Sequence, residues 1–251
     1  MKYNTVKWIW FDVDDTIVNF TLNSRRAMEI VYGQSRLLQQ LFSSTACWIE
    51  NYERHNKQLW EQFNRGEIES DFLRVQRFIG PLTEAGCPEN IARDTAKELD
   101  PLYLDILAAQ PTIIDGADKL IEELYNRGYH IGVVSNGFSG IQQKKLKTAG
   151  VDKWIDCVVL SDDININKPD PRIFQYAMEK VGQTIPEANL MVGDNPLTDV
   201  AGALNAGWLA ILFNKSSSLT DKHAKSPDSV TSLMDILNFL PEKAPINDGN
   251  A

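Results

Sequence analysis

The chain has 251 residues, 43% of them hydrophobic and 24% charged, with 15 Gly and 11 Pro, a composition that belongs to globular proteins and excludes the disordered, collagenous and membrane-spanning classes. Lys+Arg 25 against Asp+Glu 34 leaves a net charge of −9, which argues against a nucleic-acid polymer or an anionic membrane as partner. Cys47, Cys87 and Cys157 are odd in number, far apart and never arranged as C-x-x-C, so neither a disulfide framework nor a zinc site is indicated and a reducing, cytoplasmic setting is expected. The apolar run Val6–Val13 is broken by Lys7 and ends among acidic residues, too short and wrongly flanked for a signal peptide or a membrane span.

In chain order, the first strand-length run is Trp8–Val13. The stretch from 19 to 107 then carries helix-period patterns and hardly any strand signal. Trp48, Tyr52, Leu59 and Phe63 share one helical face, and Phe72, Val75, Phe78 and Ile79 mark another. From about residue 108 strands and helices alternate. Helix Ala117–Asn126 stops before Gly128, strand His130–Val134 follows, and helix Gly140–Thr148 stops at Gly150. Strand Cys157–Leu160, helix Pro171–Val181 ending at Gly182, strand Leu190–Val192, helix Thr198–Ala206 ending at Gly207, and strand Leu209–Phe213 complete the series. Nearly continuous apolar strands joined by helices predict a parallel sheet covered on both faces. The expected architecture is an α/β core of residues 1–18 and 108–239, interrupted by a helical cap at 19–107 and followed by a flexible tail at 240–251.

In open parallel sheets the ligand lies beyond the carboxyl ends of the strands. Those positions hold Asp12, Asp14 and Thr16 after the first strand, Ser135 and Asn136 after the second, Lys168 after the third, and Asp194 after the fourth, with Asp199 five residues on. Carboxylates brought to one edge repel one another unless a cation sits among them. An all-oxygen set suits Mg²⁺, whereas His55, His130 and His223 show no paired metal-ligand spacing. Ser135, Asn136 and Lys168 are donors suited to a phosphoryl group. Asp12 at the strand tip is placed to attack phosphorus and form an aspartyl-phosphate. Asp14 is placed to protonate the leaving oxygen and then to activate water, which requires it to be protonated at the outset.

These residues resemble the haloacid dehalogenase-like hydrolase superfamily. Its D-x-D-x-T signature stands as Asp12-Val13-Asp14-Asp15-Thr16, its second motif as Ser135-Asn136, its third as Lys168 and its fourth as Gly193-Asp194 through Asp199. The resemblance implies a Rossmann-like core with a helical cap, and Mg²⁺-dependent phosphomonoester hydrolysis with Asp12 as nucleophile. It further implies that Asp12, Asp194 and the Asp14 backbone carbonyl hold the metal, that Ser135, Asn136 and Lys168 hold the phosphoryl group, and that Thr16 and Asp199 support the site from behind. The strings Asn56-Lys57-Gln58-Leu59-Trp60, Ser135 to Phe138, Lys168 to Phe174 and Met191 to Asp194 resemble the nucleotidase branch, which acts on pyrimidine nucleoside monophosphates. In that branch Asn56 and Trp60 are candidate specificity residues.

Other readings compete. A small sugar-phosphate or phosphoglycolate-type phosphatase shares most of these strings, and a phosphomutase keeps D-x-D, although Thr16 fits the phosphatase form better. A dehalogenase of the same fold lacks the second aspartate. A receiver-like phosphoacceptor domain needs neither a cap of about ninety residues nor an acid for turnover. A calcium-binding EF-hand loop fails outright, because counting from Asp12 its sixth and twelfth places hold Ile17 and Asn23.

Overall fold

A computed structural model describes residues 2–215 and 228–242. The chain divides into two compact units, one made of the residues up to Asn19 with those from Thr112 onward, the other of Phe20–Pro111.

Among the described residues the first unit is built on a six-stranded sheet of β1 (Trp8–Phe11), β2 (His130–Ser135), β3 (Cys157–Leu160), β4 (Asn189–Gly193), β5 (Leu209–Phe213) and β6 (Asp228–Val230). Its order is β3-β2-β1-β4-β5-β6 and every pairing is parallel. This is the Rossmann-like α/β arrangement, with the direction of winding reversing beside β1. Alternate residues of each strand enter opposite cores. Ile9, Phe11, Ile131, Val133, Leu190 and Val192 pack with Leu120, Ile121 and Leu124 of α6 (Ala117–Asn126). Trp8, Trp10, Val134 and Met191 pack on the other face with Ile173, Phe174 and Ala177 of α9 (Pro171–Lys180). Burial on both faces is why the strands read as continuous apolar runs. Register fixes the functional edge: Phe11 stands level with Val133 and with Val192, so Asp12, Ser135 and Asp194 leave the sheet within a residue of one another.

Several expectations are corrected. β1 ends at Phe11 rather than Val13, because the chain turns at Asp15 in a left-handed conformation (φ 55°), one that aspartate tolerates better than most side chains. The Asp15 amide donates to the Val18 carbonyl, and the Ile17 amide to that of Val13. The helix expected at Thr198–Ala206 is a π-helical turn, Pro196–Ala201, leading into α10 (Gly202–Asn205). Asn195 caps it by accepting from the amides of Leu197 and Thr198. β6 was not expected. Leu240, placed in the tail by sequence, is 6% exposed within the core, and Tyr129 donates its hydroxyl to the Pro241 carbonyl; burial of one apolar side chain and one phenol ties this segment down. The rest of the expected tail, from Lys243, lies outside the described residues.

The second unit is all helical: α1 (Phe20–Gln34), α2 (Arg36–Leu41), α3 (Thr45–Asn64), α4 (Ser70–Glu84) and α5 (Glu89–Ala108). Trp48 and Tyr52 of α3, Phe78 of α4 and Tyr103 of α5 form an aromatic cluster with centroids 5.2–6.4 Å apart. Buried Arg77 lies over the Phe78 and Tyr103 rings and donates to Asp100 at 2.6 Å, while Arg74 holds the other carboxylate oxygen. Phe72, expected on the buried face of α4, is 51% exposed, and Leu73 takes its place; one residue's rotation about the helix is 100°, enough to exchange the two. Among the described residues no helix is long and apolar enough to cross a membrane.

Candidate active site

Lys168 is the centre of the functional edge. The residue is 1% exposed, and Nζ donates to Asp12 Oδ1, Asp199 Oδ1 and the Val134 carbonyl, each at 2.7 Å. Three acceptors satisfy the three N–H bonds of an ammonium. Burial alone would favour its neutral form, but Asp12 and Asp199 outweigh it and hold the ammonium above its ordinary value. Asp199 is otherwise engaged as well, accepting from the Asn195 amide at 3.0 Å and the Thr198 hydroxyl at 3.3 Å. Gly193 makes room for this carboxylate, since a Cβ there would lie 2.2 Å from Asp199 Oδ2.

Asp194 is the less committed acid. Thr16, fully buried, donates to its Oδ1 at 3.5 Å. Ligand oxygens of Asp12, Asp194 and Asp199 lie within 4.8 Å of one another. Burial, with repulsion from Asp12, Asp199 and Asp15, pushes the Asp194 carboxyl up to about 8 against the pull of Lys168. Burial likewise raises Asp12 to about 7, against the pull of Lys168 and with the push of Asp199 and Asp14. One ammonium does not neutralise this cluster. A hard divalent cation fits it by charge and by its all-oxygen donors, with Asp12 and Asp194 the carboxylates best able to reach one, because Asp199 already accepts from Lys168, Thr198 and the Asn195 amide.

Ser135 accepts from the Gly137 amide at 3.2 Å and from Gln142 Nε2 at 2.9 Å, which occupies both lone pairs and leaves its hydrogen to be donated. Asn136 clamps the Lys168 peptide from both sides, accepting from its N–H at 2.8 Å and donating to its carbonyl at 2.9 Å. Its side chain therefore orients the lysine-bearing loop. Asp14 accepts from Lys145 Nζ on both oxygens, at 2.7 and 3.0 Å, and from Gln142 Nε2 at 3.0 Å. Sequence reasoning missed Gln142 and Lys145. They sit on α7 (Ser139–Thr148), and the signal available was their spacing of three, which puts both on one face just after Ser135-Asn136.

Asn56 and Trp60 belong to the helical unit, on α3. Trp60 meets Phe63 edge-on at 5.4 Å. The Asn56 Oδ1 is buried and accepts no hydrogen bond.

The family model for haloacid dehalogenase-like hydrolases matches residues 6–207. The chain belongs to that family. It is 29% identical to the pyrimidine 5′-nucleotidase YjjG of Escherichia coli K12, over 89% of this chain and 90% of that one. It is 33% identical to a glyceraldehyde 3-phosphate phosphatase of Pyrococcus abyssi, over 83% and 81%. Among solved structures it is similar to the hydrolase YfnB of Bacillus subtilis bound to magnesium, with a TM-score of 0.80, 26% identity, and coverage of 94% of this chain and 98% of that one. The protein is thus a hydrolase whose characterised relatives include phosphatases acting on different substrates.

Proposed function

We propose that the protein is a Mg²⁺-dependent phosphomonoester hydrolase working through an aspartyl-phosphate on Asp12, and that its substrates are nucleoside 5′-monophosphates, pyrimidine ahead of purine. The observation that carries the chemistry is the buried Lys168 ammonium bridging Asp12 and Asp199 beside Asp194. An acidic cluster with a fixed cation at one side suits a phosphoryl dianion once a divalent cation is added. Held by Asp12, Asp194 and the Asp14 carbonyl, Mg²⁺ would screen the negative charge between nucleophile and phosphoryl oxygens.

The chain's own groups then divide the work. Asp12 Oδ attacks phosphorus as the P–O bond to the leaving alcohol breaks, and Asp14 gives that oxygen its proton. Ser135 donates to a phosphoryl oxygen, while Lys168 fixes the rotamer of Asp12 and offsets its charge. Water then attacks the aspartyl-phosphate, Asp14 takes the water's proton, and Asp12 is released with inorganic phosphate.

The nucleotide preference rests on the helical unit. The core groups address only the phosphoryl end, so discrimination falls to the helical unit, with Trp60 a candidate to cover a base and Asn56 a candidate to pair with its edge. The likeness to the pyrimidine 5′-nucleotidase YjjG over 89% of this chain supports this choice. Release of phosphate from a panel of phosphomonoesters, with Mg²⁺ or with chelator, tests both levels. Pyrimidine nucleotides should lead and chelator should abolish turnover. Sugar phosphates ahead of every nucleotide would overturn the substrate assignment and leave the chemistry standing; no release from any ester would overturn both.

A further inference from the structure

Helix α7 buries three side chains, Gln142, Lys145 and Leu146. Two of them are polar, and one, Lys145, is a lysine only 4% exposed. Folding alone does not call for this. Apolar side chains of similar volume usually serve a buried face as well as an ion pair or better, and a helix packed on a sheet ordinarily presents an apolar stripe. What the two polar groups share is Asp14. Lys145 Nζ contacts both of its oxygens, and Gln142 Nε2 donates at once to Asp14 Oδ2 and to Ser135 Oγ. Gln142 is itself locked, because it crosses over Gly137, where a Cβ would lie 2.0 Å from Nε2.

We infer that Lys145 and Gln142 are positioning residues for Asp14, holding the acid–base carboxylate in a fixed place relative to the phosphoryl-contacting hydroxyl of Ser135. The inference rests on the proposed acid–base role of Asp14. The Gln142 amide is the physical link. One N–H sets the Asp14 oxygen, the other sets the Ser135 oxygen, and the distance between leaving-group acid and phosphoryl donor is fixed by a single planar group. Lys145 supplies the second point that stops the carboxylate from rotating.

The test exploits the leaving group. Protonation matters for an alkoxide and little for 4-nitrophenolate, so a misplaced Asp14 should slow the first and spare the second. First-turnover release is measured by rapid mixing with the full-length protein and Mg²⁺, using uridine 5′-monophosphate and 4-nitrophenyl phosphate. The Asp14 side chain is 30% exposed and can be re-solvated, so Lys145→Met should fold. Its loss on the nucleotide should be about 10- to 100-fold, part of the roughly 10²- to 10⁴-fold worth of a general acid, and should exceed its loss on the nitrophenyl ester by about tenfold. Lys145→Arg should restore most of that difference. Gln142→Met should show the same sign of contrast, and decides the question should Lys145→Met not fold. Equal losses on both esters, or a change confined to KM, overturn the inference. Asp14→Asn is run beside them. If it shows the contrast and the α7 variants do not, only the positioning role falls; if it shows none, the acid role of Asp14 falls and the inference with it.

Discussion

Replacing Asp12 by asparagine should abolish turnover and, in chelator, make the protein more stable. The Asp12 carboxyl is buried and raised from 3.8 to about 7. At about 1.36 kcal/mol per pH unit, that difference makes the ionised group costlier in the folded than in the unfolded chain by at most roughly 4 kcal/mol at pH 8. The sign follows from linkage. A carboxyl raised on folding stabilises the fold while both states are protonated, below about 4, and that contribution is lost as pH climbs through about 7. Asparagine never ionises, so it avoids the loss. The pull of Lys168 on the ionised carboxylate is already part of that shift, and the ammonium can donate to the asparagine oxygen as it does to the carboxyl. The gain is then at most roughly 4 kcal/mol at pH 8, a rise in Tm of up to roughly 8–16 °C for a chain of this size.

Thermal unfolding of both proteins in chelator at pH 5 and pH 8, followed by circular dichroism, measures it. The gain should be largest at pH 8 and less than half as large at pH 5, where the folded Asp12 holds its proton but the unfolded one is already ionised. Adding Mg²⁺ at pH 8 should stabilise the wild type more than the variant, because the cation binds the ionised cluster. Residual turnover of the variant should lie below about a hundredth of wild type. A variant that melts below wild type at pH 8 in chelator, or a difference independent of pH, would refute the view that uncompensated negative charge governs this edge.

Other outcomes follow from the same contacts. Asp194→Ala should raise the Mg²⁺ concentration for half-maximal activity at least about tenfold while the fold persists; an unaltered midpoint in a Mg²⁺ titration would exclude Asp194 as a ligand. Ca²⁺ should replace Mg²⁺ poorly, its longer and looser coordination misplacing the phosphoryl group from Asp12, which steady-state rates in each metal would reveal. Trp60→Ala should raise KM for nucleotides about five- to a hundredfold, the range expected for a lost base–aromatic stack, and hardly alter that for 4-nitrophenyl phosphate; equal losses on both would assign Trp60 to packing. Arg77→Met leaves buried Asp100 with Arg74 alone and should destabilise the protein by about 3 kcal/mol in urea unfolding, where a loss below about 1 kcal/mol would show that Arg74 suffices.

The parts of this site that were legible in the sequence are those whose chemistry is local in the chain. Asp12, Ser135, Lys168 and Asp194 each follow an apolar run, and the runs were continuous because alternate residues such as Trp10 and Phe11 enter opposite cores. What escaped was set by partners distant in sequence. β6 is only Asp228-Ser229-Val230, a polar tripeptide with no strand signature, recruited by pairing with β5 and by Tyr3 and Lys2, which both donate to Asp228. Lys145 and Gln142 escaped for a related reason. α7 reads Ser-Gly-Ile-Gln-Gln-Lys-Lys-Leu-Lys-Thr, and a helix with so many amides and ammonium groups looks solvated on every side. Only its spacing of three from Gln142 separates Lys145, which is buried, from Lys144, which stands one position earlier and is exposed. The difference lies 131 residues away, in the second carboxylate of D-x-D. A lone aspartate at a strand tip calls for one cation, which Lys168 supplies; a second, offset by two residues, lies beyond the reach of that ammonium and needs donors of its own. Where D-x-D follows a first strand in a sheet of this order, the helix after the second strand is accordingly the place to search for them.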